Sequence, residues 1–413
     1  MKFAREHILF SLFVATYAYF LVGGILSYAI AGSTEFTFHD LGYDIGLVKP
    51  AVYALVGLAS FILAYATFAR VSFFKSKGDA RSVESSYAVT QSHLVALAGT
   101  FVVGLIGFGL MIWQYDGQMP MLVKGSDEFR VTRLSSGLPQ ILYMHLVASA
   151  LLAYAMIQRA MPAGRKRFLI FVLLASLFLI LLGASRFMFL SPVVVIFLHM
   201  WLKGKVRTRW LVLVILGGGV AAFLIGLFRM GDNAERQLYL LRFVTDFAPE
   251  FREFARLMDY IPERIDYLNG QMFANAVYIV MPGKLLSLFG LSKIESWLPF
   301  GQFVKDLFRM EFAGGGVRAG LIAEYYANFG LAGIIVGFYA MGAALRYLEK
   351  KIFHPSPCTA QLYLIVAFSV ATGMLLTFDA IVYKIVGFLV AWAVFYLIAY
   401  VATGLSNRYA MKA

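Results

Sequence analysis

An arginine at the end of an apolar helix costs several kcal/mol unless it reaches water or finds a partner, so charge at membrane depth marks a candidate site. Three arginines fit that description: Arg186 in GASRFMF, Arg229 in GLFRMGDN and Arg318 in GVRAGLIAEYYANFG. The planar guanidinium fork pairs bidentately with phosphate oxygens, so a converging set makes a pyrophosphate clamp without metal. Taken singly, each is equally an anchor that snorkels to headgroups, a reading weakest for Arg186 in its short turn. Beyond the third arginine lies a carboxylate. On a helix beginning near Gly320, Leu321, Glu324, Tyr325 and Asn328 fall at i, i+3, i+4 and i+7. The last three form one polar stripe, which must face other helices or a water-filled cavity. Glu324 there is either a general base or the fixed partner of an arginine. Asp246 and Glu250 compete for the base role, and the glycines at 314 to 316 free the preceding backbone to approach a ligand. Asp379 and Lys384 read as an ordinary polar rim.

The elements that must position these residues are membrane helices. The chain has 413 residues, 61% hydrophobic and 14% charged, with mean hydropathy +0.76, well outside the soluble mix of roughly 25% charged residues. Windows of about 20 apolar residues place ten spans near 8–31, 51–70, 91–113, 141–161, 168–185, 188–202, 210–228, 320–345, 360–377 and 382–402. The fifth and sixth form a tight hairpin, and the sixth is short and carries Pro192. Lys2 and Arg5 before an apolar run ending in YAIAG imitate a signal peptide, but the run from Ile8 to Ala31 is span-length and is expected to be retained. The single cysteine, Cys358, excludes an intrachain disulfide, and no Cys/His cluster or Asp-rich motif offers a metal site. No internal repeat is visible.

With the N-terminus inside, this threading puts nineteen basic residues against four acidic ones on the side of both termini, including AGRKR and KGKVRTR. The formal charge of +13 is therefore topology, and a nucleic-acid partner is not expected. Arg186, Arg229 and Arg318 then share one depth, at the outer ends of the fifth, seventh and eighth spans. Two outer connections are long, 114–140 and 229–319, and long connections are functional or structured. In the second, Leu240, Val244, Phe247, Phe251, Phe254 and Met258 recur at helical spacing with Glu250, Glu253 and Arg256 between them. That is an amphipathic helix, lying on the leaflet or packed over the bundle. MPGKLLSLFG and GQFVKDLF add two short apolar segments.

GASRFMF, GLFRMGDN, a long loop with FVTDFAPEF and YIVMPGKL, and the closing VRAGLIAEYYANFGLAG resemble, in that order, the Wzy-type O-antigen or oligosaccharide repeat-unit polymerases. The likeness lies mainly in residues 180–345; the first half agrees only in hydropathy. It implies an all-α, polytopic bundle of about ten transmembrane helices, a multi-span glycosyltransferase of the GT-C-like kind, with one integral membrane domain over 1–413 and a helical periplasmic loop at 229–319. The implied localisation is the bacterial inner membrane, with both termini cytoplasmic and the active site facing the periplasm. The implied reaction moves a growing chain from undecaprenyl pyrophosphate onto a lipid-linked repeat unit, without cofactor. The expected partners are undecaprenyl-pyrophosphate-linked oligosaccharide, membrane lipid and a polysaccharide chain-length regulator. Arg186, Arg229, Arg318 and Glu324 are the candidate catalytic residues; Arg242, Asp246, Glu250, Tyr325 and Asn328 are the candidate substrate-binding ones. An O-antigen ligase is the nearest alternative, although residues 229–319 lack the histidine credited to ligases. A lipid-linked oligosaccharide flippase is the other, and it should show pseudo-repeated halves and midplane polarity.

Overall fold

The computed structural model describes residues 7–26, 46–70, 89–120, 137–159, 161–183, 186–228, 249–280, 287–288, 290, 299–308, 319–352, 354 and 356–410. These are all-helical, with no strand among the described residues. The helices are α1 (Ile8–Leu26, with a π-helical turn at Tyr19–Gly23), α2 (Val48–Arg70), α3 (Gln91–Gln114), α4 (Gly137–Ile157), α5 (Ala163–Leu182), α6 (Arg186–Leu202) and α7 (Thr208–Phe228). After the long connection come α8 (Pro249–Tyr260), α9 (Gln271–Val280), α10 (Phe300–Leu307), α11 (Gly320–Lys351), α12 (Pro357–Ala371) and α13 (Phe378–Ala410).

Every expected span falls on a helix, but six are long and apolar enough to cross a membrane: α1, α2, α3, α4, α11 and α13. The other four, α5, α6, α7 and α12, are helices whose crossing rests on the sequence. α5, of 20 residues, opens with Arg165, Lys166 and Arg167. α6 has 17 residues and an internal proline, α12 has 15, and α7 runs over 21 largely apolar residues, Thr208–Phe228, some of whose side chains lie outside those described. A span needs roughly 20 residues.

The chain divides into two compact units, one of Met1–Lys75, Asp232–Glu349 and Ala367–Lys384, the other of Ser76–Gly231, Lys350–Val366 and Ile385–Ala413. The second is built around α4, whose residues from Leu146 to Met156 are all buried. α3 reaches α4 through glycines: a methyl at Gly107 would lie 2.3 Å from the Tyr143 backbone nitrogen, and one at Gly104 2.9 Å from that of Leu146. Such small residues let backbones touch where lipid supplies no hydrophobic drive. Polar ties complete the unit, with Tyr143 donating to Ile180 O at 2.8 Å, His199 Nδ1 paired with Tyr154 Oη at 3.0 Å and Trp392 donating to Cys358 O at 2.9 Å.

The first unit packs α1, α2 and α11 on an aromatic seam. Phe13 stacks on Phe61 with centroids 3.7 Å apart, and Phe338 meets Tyr17 nearly edge-on at 5.8 Å. Gly342 brings α11 against α2, since a methyl there would lie 2.5 Å from Phe61 O. At the far end of α11, Glu349 accepts from Arg346 at 2.8 Å, from the Leu9 N–H at 3.3 Å and from Tyr65. Glu349, expected in the cytoplasmic segment after the span, is instead buried, joining three helices through charge-assisted bonds.

α8 is the described part of the amphipathic segment. It buries Phe251, Phe254 and Met258, with Phe20 perpendicular to Phe251 at 5.5 Å. A methyl at Gly24 would overlap Phe251 Cβ, so α8 packs directly on α1. Of the two expected placements, the packed one is found. Glu253 is buried among Arg252 and Arg256, at 3.0 and 3.3 Å.

Candidate functional site

The polar stripe of the eighth expected span sits on a broken helix. α11 is interrupted at Phe329 (φ −143°, ψ 16°) and Gly330 (φ +62°, ψ −145°), and the second of these conformations is open essentially to glycine alone. The break frees carbonyls, and the connection before α9 satisfies them: Leu268 N–H donates to Ala327 O at 2.9 Å and Asn269 N–H to Asn328 O at 3.1 Å. Tyr326 donates to Ile261 O at 2.7 Å. Residues 320–328 are thus a half-helix held from outside, with its freed backbone groups satisfied by protein, as irregular backbone in a membrane helix requires.

Within it, Glu324, Tyr325 and Asn328 are all buried, as a stripe that avoids lipid must be. Asn328 spends both ends of its amide inside the protein: Nδ2 donates to Glu324 O at 2.8 Å and Oδ1 accepts from the Met272 N–H at 3.4 Å. Because Met272 stands in the first turn of α9, Asn328 caps that helix from across the break. Replacing Asn328 by Ala orphans the Met272 donor, and a loss of about 1–3 kcal/mol is expected as a lower melting temperature in detergent. An unchanged melting temperature would remove the capping role. Tyr325 lies in the angle of the break, where Gly337 makes room for its ring, and it meets Phe338 perpendicularly at 5.6 Å.

Glu324 is fully buried. Its Oε2 accepts from the Phe378 N–H at 2.6 Å, one of the N-terminal donors that α13 cannot satisfy itself. Its Oε1 has no hydrogen-bond partner among the described residues. A buried polar atom in that state needs a reason, and a substrate hydroxyl is a chemical one. Asp379 follows Phe378 at the start of α13 and is 5% exposed, a position the helix dipole favours for an acid. Its Oδ1 is likewise without a partner among the described residues. Asp379 was expected on a polar rim; it is an interior acid, and the carboxylate beside it in space, Glu324, lies 55 positions earlier in the chain. Sequence could have raised it only as the one acid in LLTFDAIV.

Gly320 (φ +73°) opens the half-helix, and a methyl there would meet Met374 O at 2.7 Å and Glu250 Cβ at 3.3 Å. Glu250, in the first turn of α8, is thereby set beside the start of α11 and is buried. Three acids, Glu250, Glu324 and Asp379, are thus gathered around the Gly320–Glu324 turn and the segment from Met374 to Asp379.

Arg318 precedes Gly320 by two positions and, with Arg229, Arg242, Asp246 and the glycines at 314 to 316, lies outside the described residues. Arg186 is the first residue of α6, its side chain outside those described. The shared depth of the arginines rests on the sequence. Among the described residues no group of three or more His, Cys, Asp or Glu is placed to hold a metal ion.

The described residues thus form a helical protein with six helices long and apolar enough to cross a membrane and buried carboxylates beside a broken helix. A family model, O-antigen polysaccharide polymerase Wzy, matches residues 1–402, and the chain belongs to that family. No curated protein and no solved structure matches it. Membership makes it a membrane transferase of polysaccharide synthesis that polymerises O-antigen.

Proposed function

We propose that the protein joins oligosaccharide repeat units carried on undecaprenyl pyrophosphate, at the periplasmic face of the inner membrane, by inverting transfer. The hydroxyl of the acceptor unit attacks the anomeric carbon of the growing chain. A glycosidic C–O bond forms as the C–O bond to pyrophosphate breaks, and the electron pair leaves with the carrier lipid. Glu324 takes the hydroxyl proton through Oε1, the oxygen that is not engaged by Phe378; this oxygen is the observation that carries the reading. Arg186, Arg229 and Arg318 meet the charge that builds on the departing pyrophosphate. Arg242, Asp246 and Glu250 contact the sugars, while Tyr325 and Asn328 hold the half-helix in place. The basic excess on the side of the termini supports the orientation.

Because guanidinium groups supply the positive charge, polymerisation is expected to continue in EDTA at the untreated rate; an absolute requirement for Mg²⁺ would remove the arginine-only clamp. Deletion of the gene in its host, followed by a silver-stained gel, tests the reading in the cell. Collapse of the ladder to lipid A core bearing one repeat is expected. Loss of every unit from the core, with polymer still held on the carrier, would mean ligation.

A further inference from the structure

One face of the first unit, on the connection that also holds the half-helix, carries exposed polar and aromatic side chains that the carboxylate chemistry does not use. It is formed by the start of α2, the end of α8 and the connection running on from α8 to α9. Tyr326, buried on the half-helix, is met perpendicularly by Tyr53 at 5.9 Å and by Tyr267 at 6.0 Å. Both of these rings are half-exposed, whereas Tyr326 is not. Around them Lys49, Asp259, Glu263, Arg264, Asp266 and Asn269 are exposed. Lys49 and Tyr53 are one turn apart on one face of α2. Partial burial raises the Asp259 carboxyl above its usual range, while Lys49 and Arg264 draw it back and Glu263 pushes it further up, which sets all four charges in one neighbourhood.

Interfacial belts also use tyrosine, with the ring at the headgroup level, but a belt gives no reason for three carboxylates beside it. An anion such as pyrophosphate is disfavoured by the same acids. Flat aromatic rings flanked by carboxylates and an amide suit a ligand with apolar C–H faces and many hydroxyls, which is a saccharide. We propose that this face is a glycan-binding track, with Tyr53 and Tyr267 stacking on sugar rings and Asp259, Glu263 and Asn269 accepting from or donating to their hydroxyls. The proposal rests on the polymerase reading for its biology, and it adds a sugar site beyond the pyrophosphate end of the substrate. Tyr326, bonded to Ile261 O and one position from Tyr325 on the half-helix, ties the track to the helix that carries Glu324.

The test uses the full-length protein in lipid nanodiscs and, as probe, the lipid-free oligosaccharide released by mild acid from the host's own surface polysaccharide. Binding is followed by saturation-transfer NMR and titration calorimetry. Tyr53→Leu keeps an apolar side chain but removes the ring, and should weaken binding about ten-fold. Tyr53→Phe keeps the ring and should stay within about two-fold of the unaltered protein. Asp259→Asn should weaken binding about five-fold, the loss of one charged acceptor. Gel-filtration profiles should be unchanged throughout. Glu324→Gln should bind the oligosaccharide normally, which separates the track from the chemistry. Unaltered affinity in both Tyr53→Leu and Asp259→Asn, or no binding by the unaltered protein, overturns the track. A protein that binds the oligosaccharide through these residues but cannot polymerise lipid-linked units upholds the track and defeats the polymerase reading instead.

Discussion

Glu324→Gln is expected to cut polymerisation by about 10²- to 10⁴-fold, the usual worth of a positioned general base, while leaving the protein folded. The amide keeps the size of the carboxylate, and its oxygen can still accept from the Phe378 N–H, the bond now made at 2.6 Å. What it removes is the ability of the second oxygen to take a proton. Substrate affinity should change little, so the loss should fall on turnover. The competing role is purely structural, with Glu324 serving only as a cap on α13. A cap survives the change to glutamine, so near-normal turnover by Glu324→Gln would transfer the base to Glu250 or Asp379. Glu324→Ala is the less informative variant, since it orphans the Phe378 donor in a buried setting and lowers stability by about 1–3 kcal/mol whatever the catalytic role.

Arg318→Lys is expected to keep the charge and lose most of the activity. A lysine is a point charge, and it cannot reproduce two parallel bonds to phosphate oxygens. Loss of one preplaced donor to developing negative charge costs about 10²- to 10³-fold in turnover. Gly320, two residues on, has φ +73° and is pressed against Met374 O and Glu250, so the backbone just after Arg318 is tightly set. Measured as polymer formed per unit of membrane protein, near-wild-type product from Arg318→Lys would mean that the arginine is an anchor to headgroups.

Hydropathy located each helix of the bundle because a span is a property of composition over a window. Six of its ten windows coincide with helices long and apolar enough to cross within the described residues; the others, such as α5 with three cations near its start and α12 with 15 residues, rest on the window average alone. The break in α11 was invisible to it, since NFGLAG is as apolar as a continuous helix and only the backbone at Gly330 departs. The polar stripe of Glu324, Tyr325 and Asn328 was legible from spacing. Its partners were not, because they come from elsewhere in the chain: Phe378 for Glu324, 54 positions away, and Met272 for Asn328, 56 positions away. Glu349 shows the same limit, with a backbone donor 340 positions away at Leu9. Asp379 looked like a rim because an acid in a turn between apolar runs ordinarily faces water; its burial depends on how α11 and α13 meet within the first unit.

The most direct measurement uses the purified protein alone, in liposomes, given only undecaprenyl-pyrophosphate-linked repeat units. The account predicts products longer by whole repeats, with one undecaprenyl pyrophosphate released per linkage and inversion at the new anomeric centre. Absence of chain growth from these units, with transfer appearing only when lipid A core is supplied, would contradict it.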